Sequence, residues 1–143
     1  MVEKKAIRQG EAPENYPDLL ELLKDFSKNN VLKRSRLCFH SDDSSDLHAM
    51  IVNLNHESQI QMHWHQKSEF YMILSGKLEI IIEHSEGEKC SFMLDAESQM
   101  MGRKFYYMKP GTKHSMKSIS EFSTYLEVTK GPYESSKIEI PMA

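Results

Sequence analysis

The chain has 143 residues and a formal net charge of −3, with acids and bases interspersed along its length. That length suits one domain with a core of its own, and the charge balance recommends neither nucleic acid nor an anionic membrane surface as a partner. No apolar run approaches the ~20 residues that cross a bilayer, and Met1–Gly10 is charged, so a cytoplasmic chain without a secretory signal is expected. Cys38 and Cys90 lie far apart with no CxxC pairing, which suits two free thiols in a reducing compartment.

Residues 1–15 are polar and read as a poorly ordered extension. Pro17 sits where a helix can begin, because its missing N–H would have no partner in a first turn. Leu19, Leu22, Leu23 and Phe26 then recur at helical spacing, and Asn29-Asn30 ends the helix. Their stripe would lie on a sheet, so the expected division is 1–30 as extension and helix and 31–143 as one β-domain.

From Val31 onward the signals are those of strands. They predict Val31–Phe39, Leu47–Leu54, Ile60–His65, Phe70–Leu74, Lys77–Glu83 and Lys89–Leu94. Phe105–Met108, His114–Ile119, Phe122–Thr129 and an edge strand over Lys137–Ile140 follow. Ser85-Glu86-Gly87-Glu88 reads as a turn, and Ser75-Gly76 as a tight hairpin, since glycine tolerates the positive φ such turns need. Many short strands with regular turns and one helix argue for a sandwich or barrel.

Chemistry concentrates in Gln61-Met62-His63-Trp64-His65 and Glu69, joined later by Lys109-Pro110-Gly111-Thr112-Lys113-His114. Alternate side chains of a strand leave the same face ~6–7 Å apart, so His63 and His65 can bend onto one ion. Glu69 can return a carboxylate oxygen to that point, and His114 arrives after a Pro-Gly turn. Three imidazoles and a carboxylate suit one divalent first-row ion per chain (Fe, Mn, Zn or Ni) with positions open for a small molecule. His40, His48, His56 and His84 have no partner at ligand spacing and read as surface or core residues.

This pattern resembles the cupin superfamily. His63-x-His65, Glu69 and Gly76 match its first motif from the first histidine onward, and Pro110-Gly111-x-x-His114 matches the core of the second. Departures are Glu57, Lys109, Gly102 and Ser118, at positions that shape turns. The likeness covers about residues 47–130. It implies an all-β jelly-roll barrel, here with a short N-terminal helix, and the metal ligands His63, His65, Glu69 and His114. A fainter likeness, to the cupin domain of type II mannose-6-phosphate isomerases, rests on Gln61-x-His63-x-His65-x-x-Ser68-Glu69 and Leu126-Glu127-Val128-x-x-Gly131-x-Tyr133.

Strand parity suggests what else faces the ion. Gln61 shares a face with His63 and His65, Tyr71 with Glu69, and Tyr125 with Glu127, while Arg34 and Arg36 share one face of an early strand. Two arginines at that spacing can grip a phosphate or carboxylate, so Gln61, Arg34 and Arg36 are pocket candidates and Tyr71 and Glu127 candidate proton carriers. Trp64 faces away from the ligands, toward the outer sheet face or a subunit contact. Three readings compete: a sugar or sugar-phosphate isomerase or epimerase, an Fe(II) dioxygenase, and a non-catalytic binder of a small molecule. A homodimer is expected, because a lone jelly roll leaves sheet edges to cover.

Overall fold

The computed structural model describes residues 6–8, 18–133 and 137–138. The local pattern of each strand decides its faces. In β6 (Lys77–Glu83), Leu78, Ile80 and Ile82 are buried while Lys77, Glu79, Ile81 and Glu83 point the other way. The remaining strands are β1 (Ala6–Arg8), β2 (Arg34–Cys38), β3 (Leu47–Asn55), β4 (Ile60–Trp64), β5 (Glu69–Ser75), β7 (Lys89–Asp95), β8 (Phe105–Met108), β9 (Lys113–Ser118), β10 (Phe122–Lys130) and β11 (Lys137–Ile138). They form two sheets, one in the order β1-β2-β3-β10-β5-β8 and the other β11-β4-β9-β6-β7. All pairs are antiparallel except β1 with β2.

The inner faces of the two sheets share one core. Val52, Leu54, Tyr71, Ile73 and Tyr125 from the first meet Leu78, Ile80, Ile82, Leu94 and Met116 from the second. A second, smaller core lies outside the first sheet. There the helix α1 (Leu19–Asn29) sets Leu22 and Leu23 against Ile7 and Leu37, with Phe26 and Ile51 packed alongside. The sheet accommodates the helix with small polar residues: Ser35 Oγ donates to the Leu23 carbonyl at 2.6 Å, and the Ser27 and Ser35 hydroxyls are 2.9 Å apart. Leu23 is 1% exposed, so Leu23→Ala should cost about 2–5 kcal/mol in denaturant unfolding through lost burial and a residual cavity. A loss below about 0.5 kcal/mol would mean that α1 contributes little to the fold.

Several expectations need correction. Ala6–Arg8 lies inside the stretch read as disordered, yet it pairs with Arg36–Cys38, because Ile7 is buried beside Leu22 and Leu23. The helix starts two residues later than proline chemistry suggested. Asp18 is its N-cap, accepting from the Leu20 N–H at 2.9 Å, and Leu19 is the first helical residue, while Pro17 lies outside the described residues. Ser75-Gly76 is not a hairpin between paired strands. β5 and β6 belong to different sheets, so the turn is a corner where the chain crosses the sandwich. Gly76 has φ +79, and a methyl group there would overlap the Phe122 carbonyl, so the corner needs glycine for conformation and for space. The Ser85–Glu88 turn does join the paired strands β6 and β7. Of the predicted edge strand, Lys137–Ile138 pairs with His63–Trp64, and residues 139–140 lie outside the described residues.

Candidate metal centre and its cavity

Two departures from regular pairing build the site. Ile60 pairs with Met116 and His63 with His114, so β4 holds one residue more than β9 between those points. That bulge puts both Ile60 and His63 on the cavity side, which strict alternation forbids. The predicted strand to His65 stops at Trp64, leaving His65 in the connection to β5. The Pro110-Gly111 turn also crosses between sheets, from β8 to β9, and the Gly111 N–H donates to the His65 carbonyl at 2.7 Å. That bond ties the turn that delivers His114 to the backbone that carries His65.

The ring nitrogens of His63, His65 and His114 converge within 4.8 Å of one another. Glu69 Oε1 lies 3.3 Å from His65 Nε2 and 3.6 Å from His114 Nε2. His63 Nδ1 sits 2.8 Å from the Gln61 carbonyl and His114 Nδ1 2.8 Å from the Thr112 carbonyl. A carbonyl can only accept, so both Nδ1 atoms carry the proton and both Nε2 lone pairs are left for something else.

These contacts are not ion pairs. Burial, reinforced by neighbouring His63, pushes the proton affinities of His65 and His114 down to about 4, so both rings are neutral at pH 7. Burial lowers His63 too, partly offset by its bond to the Gln61 carbonyl. The Glu69 carboxyl is pushed up by burial and then by nearby Glu127, against the Tyr71 hydroxyl, which lowers it.

The result is three neutral imidazoles facing a carboxyl whose charge is unfavourable there without a cation. Glu69 Oε1 and His114 Nε2 are buried and make no hydrogen bond. Unpaired buried polar atoms are costly, and a divalent cation removes that cost at both atoms together. Three imidazoles and a carboxylate are a chemically suitable set for such an ion. The residues fit a metal.

The cluster opens into a cavity of about 630 Å³. His63, His65 and Glu69 line it, and His114, 1% exposed, completes the cluster from within the protein. Gln61, Tyr71, Glu127, Arg34 and Arg36 all line the same cavity, so the residues singled out from sequence come together there. Their settings differ. Gln61 and Arg36 are exposed, Arg34 and Glu127 half-buried, and Tyr71 fully buried. Tyr71 pairs with Glu127 across β5 and β10. Burial raises the Glu127 carboxyl, with Arg36 pulling the other way, and burial followed by Glu127 and Glu69 keeps the Tyr71 phenol protonated. Trp64 is half-buried beneath the Lys113 ammonium, 5.2 Å from its ring centre.

Among the cavity residues that sequence reasoning missed is His48. His48 is buried, lines the cavity and stacks on His40 with ring centres 3.9 Å apart. Ligand spacing could not reveal it, because it sits on β3, remote in sequence from the motif. The two cysteines are free, Cys38 buried and Cys90 exposed. Among the described residues no helix is long and apolar enough to cross a membrane.

The two sheets and the four-residue cluster define a cupin jelly roll. The chain belongs to the family described as Domain of unknown function (DUF6016), which matches residues 17–94. No curated protein matches it in sequence. Among solved structures it is similar to a mutant of Bacillus subtilis oxalate decarboxylase, at 19% identity and TM-score 0.56 over 67% of this chain and 25% of that one. It is also similar to Lactobacillus farciminis oxalate decarboxylase in its formate complex, at 19% identity and TM-score 0.53 over 67% of this chain and 28% of that one. A third is the Bacillus subtilis enzyme studied for its Mn(II) centres, at 19% identity and TM-score 0.55 over 66% and 24%. The chain thus spans 24–28% of the length of these structures, and at such identity the likeness is one of fold.

Proposed function

We propose that the chain is a metal-dependent cupin that takes a small oxygenated metabolite, a sugar or sugar phosphate, and moves a proton between its carbons. The observation carrying this reading is a second carboxyl, Glu127, which lines the cavity of the His63, His65, Glu69 and His114 cluster without belonging to it. When held by those four residues, a divalent ion supplies the electrophile that polarises a carbonyl and acidifies the C–H beside it. Glu127 would take that proton and return it, and the burial that raises its proton affinity supports either role. The Tyr71 phenol donates to Glu69 and stays protonated, holding that carboxylate in orientation. Arg34 and Arg36 bring two positive charges to the cavity, which suits an anionic group on the ligand. Met50, Val52, Ile60 and Met116 form apolar wall that limits water around the reacting carbons.

The test begins with metal analysis of protein purified without oxygen, followed by aldose–ketose pairs and their phosphates in D₂O. Deuterium should enter the carbon beside the carbonyl. Glu127→Gln should slow that exchange by roughly 10²–10⁴-fold with metal content unchanged. Stoichiometric O₂ uptake by an iron-loaded protein would replace this reading with dioxygenation, and tight ligand binding with neither reaction would leave a binding protein. The working unit is taken to be a homodimer, in keeping with the sheet edges a lone sandwich exposes. A concentration-independent monomer in light scattering refutes that part.

A further inference from the structure

We infer that His48 is a specificity-determining residue of this cavity, reading an acidic group on the ligand at the end away from the metal ligands. This rests on the proposed metal and ligand site and adds what the far end of that site selects.

His48 is 3% exposed and lines the cavity, and its Nε2 makes no hydrogen bond. A buried ring nitrogen without a partner is costly, so its retention calls for one that arrives with a ligand. The sheet register fixes where that partner must be. Glu69 pairs with Thr129 on β10, and Thr129 pairs with His48 on β3. Two strand spacings therefore separate His48 from Glu69, roughly 10 Å between backbones. A molecule held at the metal ligands can meet His48 only through a group distant from its chelating oxygens.

The ring is held in place. Its face stacks on His40 at an interplanar angle of 14°, and its Cδ2 edge lies beside Gly131, where a methyl group would collide with it and with the Ser45 carbonyl. Neighbouring groups narrow the chemistry. The Thr129 hydroxyl is already committed to the Ser68 carbonyl at 2.7 Å, so it is not the reader. Arg36, on the strand next to β3, lines the same cavity. The His48 imidazole and the Arg36 guanidinium, both lining this cavity, can each donate a hydrogen bond, and the complement of such donors is a carboxylate or a phosphate.

The test uses Mn²⁺-loaded protein and two probe pairs in calorimetry. Malate and lactate share an α-hydroxy acid end and differ by a distal carboxylate, whereas fructose 6-phosphate and fructose differ by a distal phosphate. Wild type should prefer the acidic member of one pair, which identifies the acid. His48→Phe, which keeps the stack and removes the nitrogens, should reduce that preference by about tenfold with the affinity for lactate or fructose unchanged. His48→Gln should restore part of it. If the Phe variant does not fold, His48→Leu at matched Mn²⁺ content serves the same comparison. A preference that survives nitrogen removal, equal losses for both members, or no wild-type preference in either pair would overturn the assignment. Full Mn²⁺ occupancy with no binding of any probe would instead overturn the reading of the cavity as a small-molecule site.

Discussion

Replacing His65 and His114 together by alanine should abolish binding of divalent metal and, with it, the thermal stabilisation that metal gives. In wild type, metal at a hundredfold excess over its dissociation constant adds about 2.7 kcal/mol to stability, whereas the double variant should gain nothing. The comparison has a second arm. Without metal, Glu69 Oε1 and His114 Nε2 face each other buried and unpaired, so the wild-type site is a cost to the fold in that state. The gap between wild type and variant should therefore be small in chelator and open when Mn²⁺, Zn²⁺ or Ni²⁺ is added. Thermal melts with and without metal, with bound metal measured by mass spectrometry, decide it. Full occupancy in the double variant would remove these histidines from the ligand set.

The second large effect is expected at the corner between β5 and β6. Gly76→Ala meets two penalties: a φ of +79, which side chains rarely adopt, and overlap with the Phe122 carbonyl. The displaced neighbour cannot yield easily. Ser123, next along, donates to the Lys77 carbonyl at 2.7 Å and lies 2.6 Å from the Ser118 hydroxyl, so the whole crossing is hydrogen-bonded together. Gly87 is the natural control, with φ +82 but no atom within 4 Å of where a methyl group would sit. Gly87→Ala should cost only the conformational part, about 1–2 kcal/mol, and Gly76→Ala on the order of 3 kcal/mol or more in urea unfolding of metal-free protein. Equal losses in the two variants would show that the Phe122 contact is not a constraint.

The same corner shows where sequence reasoning stops. Glycine after a β-run announces a sharp turn, and that much is local chemistry. Whether the turn joins two paired strands or two sheets depends on which distant strands bury the apolar faces on either side. β5 lies between β10 and β8, while β6 lies between β9 and β7. The Ala6–Arg8 strand was illegible for a related reason: three residues carry no period, and only the helix packed above Ile7 makes pairing worthwhile. At β4, alternation placed His63 and His65 on one face, but the bulge that brings Ile60 to that face with them arises from its pairing with β9.

By itself the sequence marked the residues that converge at the candidate site, most strand positions, an amphipathic helix and the turn glycines. Each of these is written in side-chain chemistry or in a period of two or 3.6 residues. Only the tertiary structure decided sheet membership, the pairing of Tyr71 with Glu127, the unpartnered atoms at the candidate cation site and the place of His48 in the cavity. Those features depend on contacts between residues far apart in the chain. Their energies come from burial and register, and neither is encoded in any one segment.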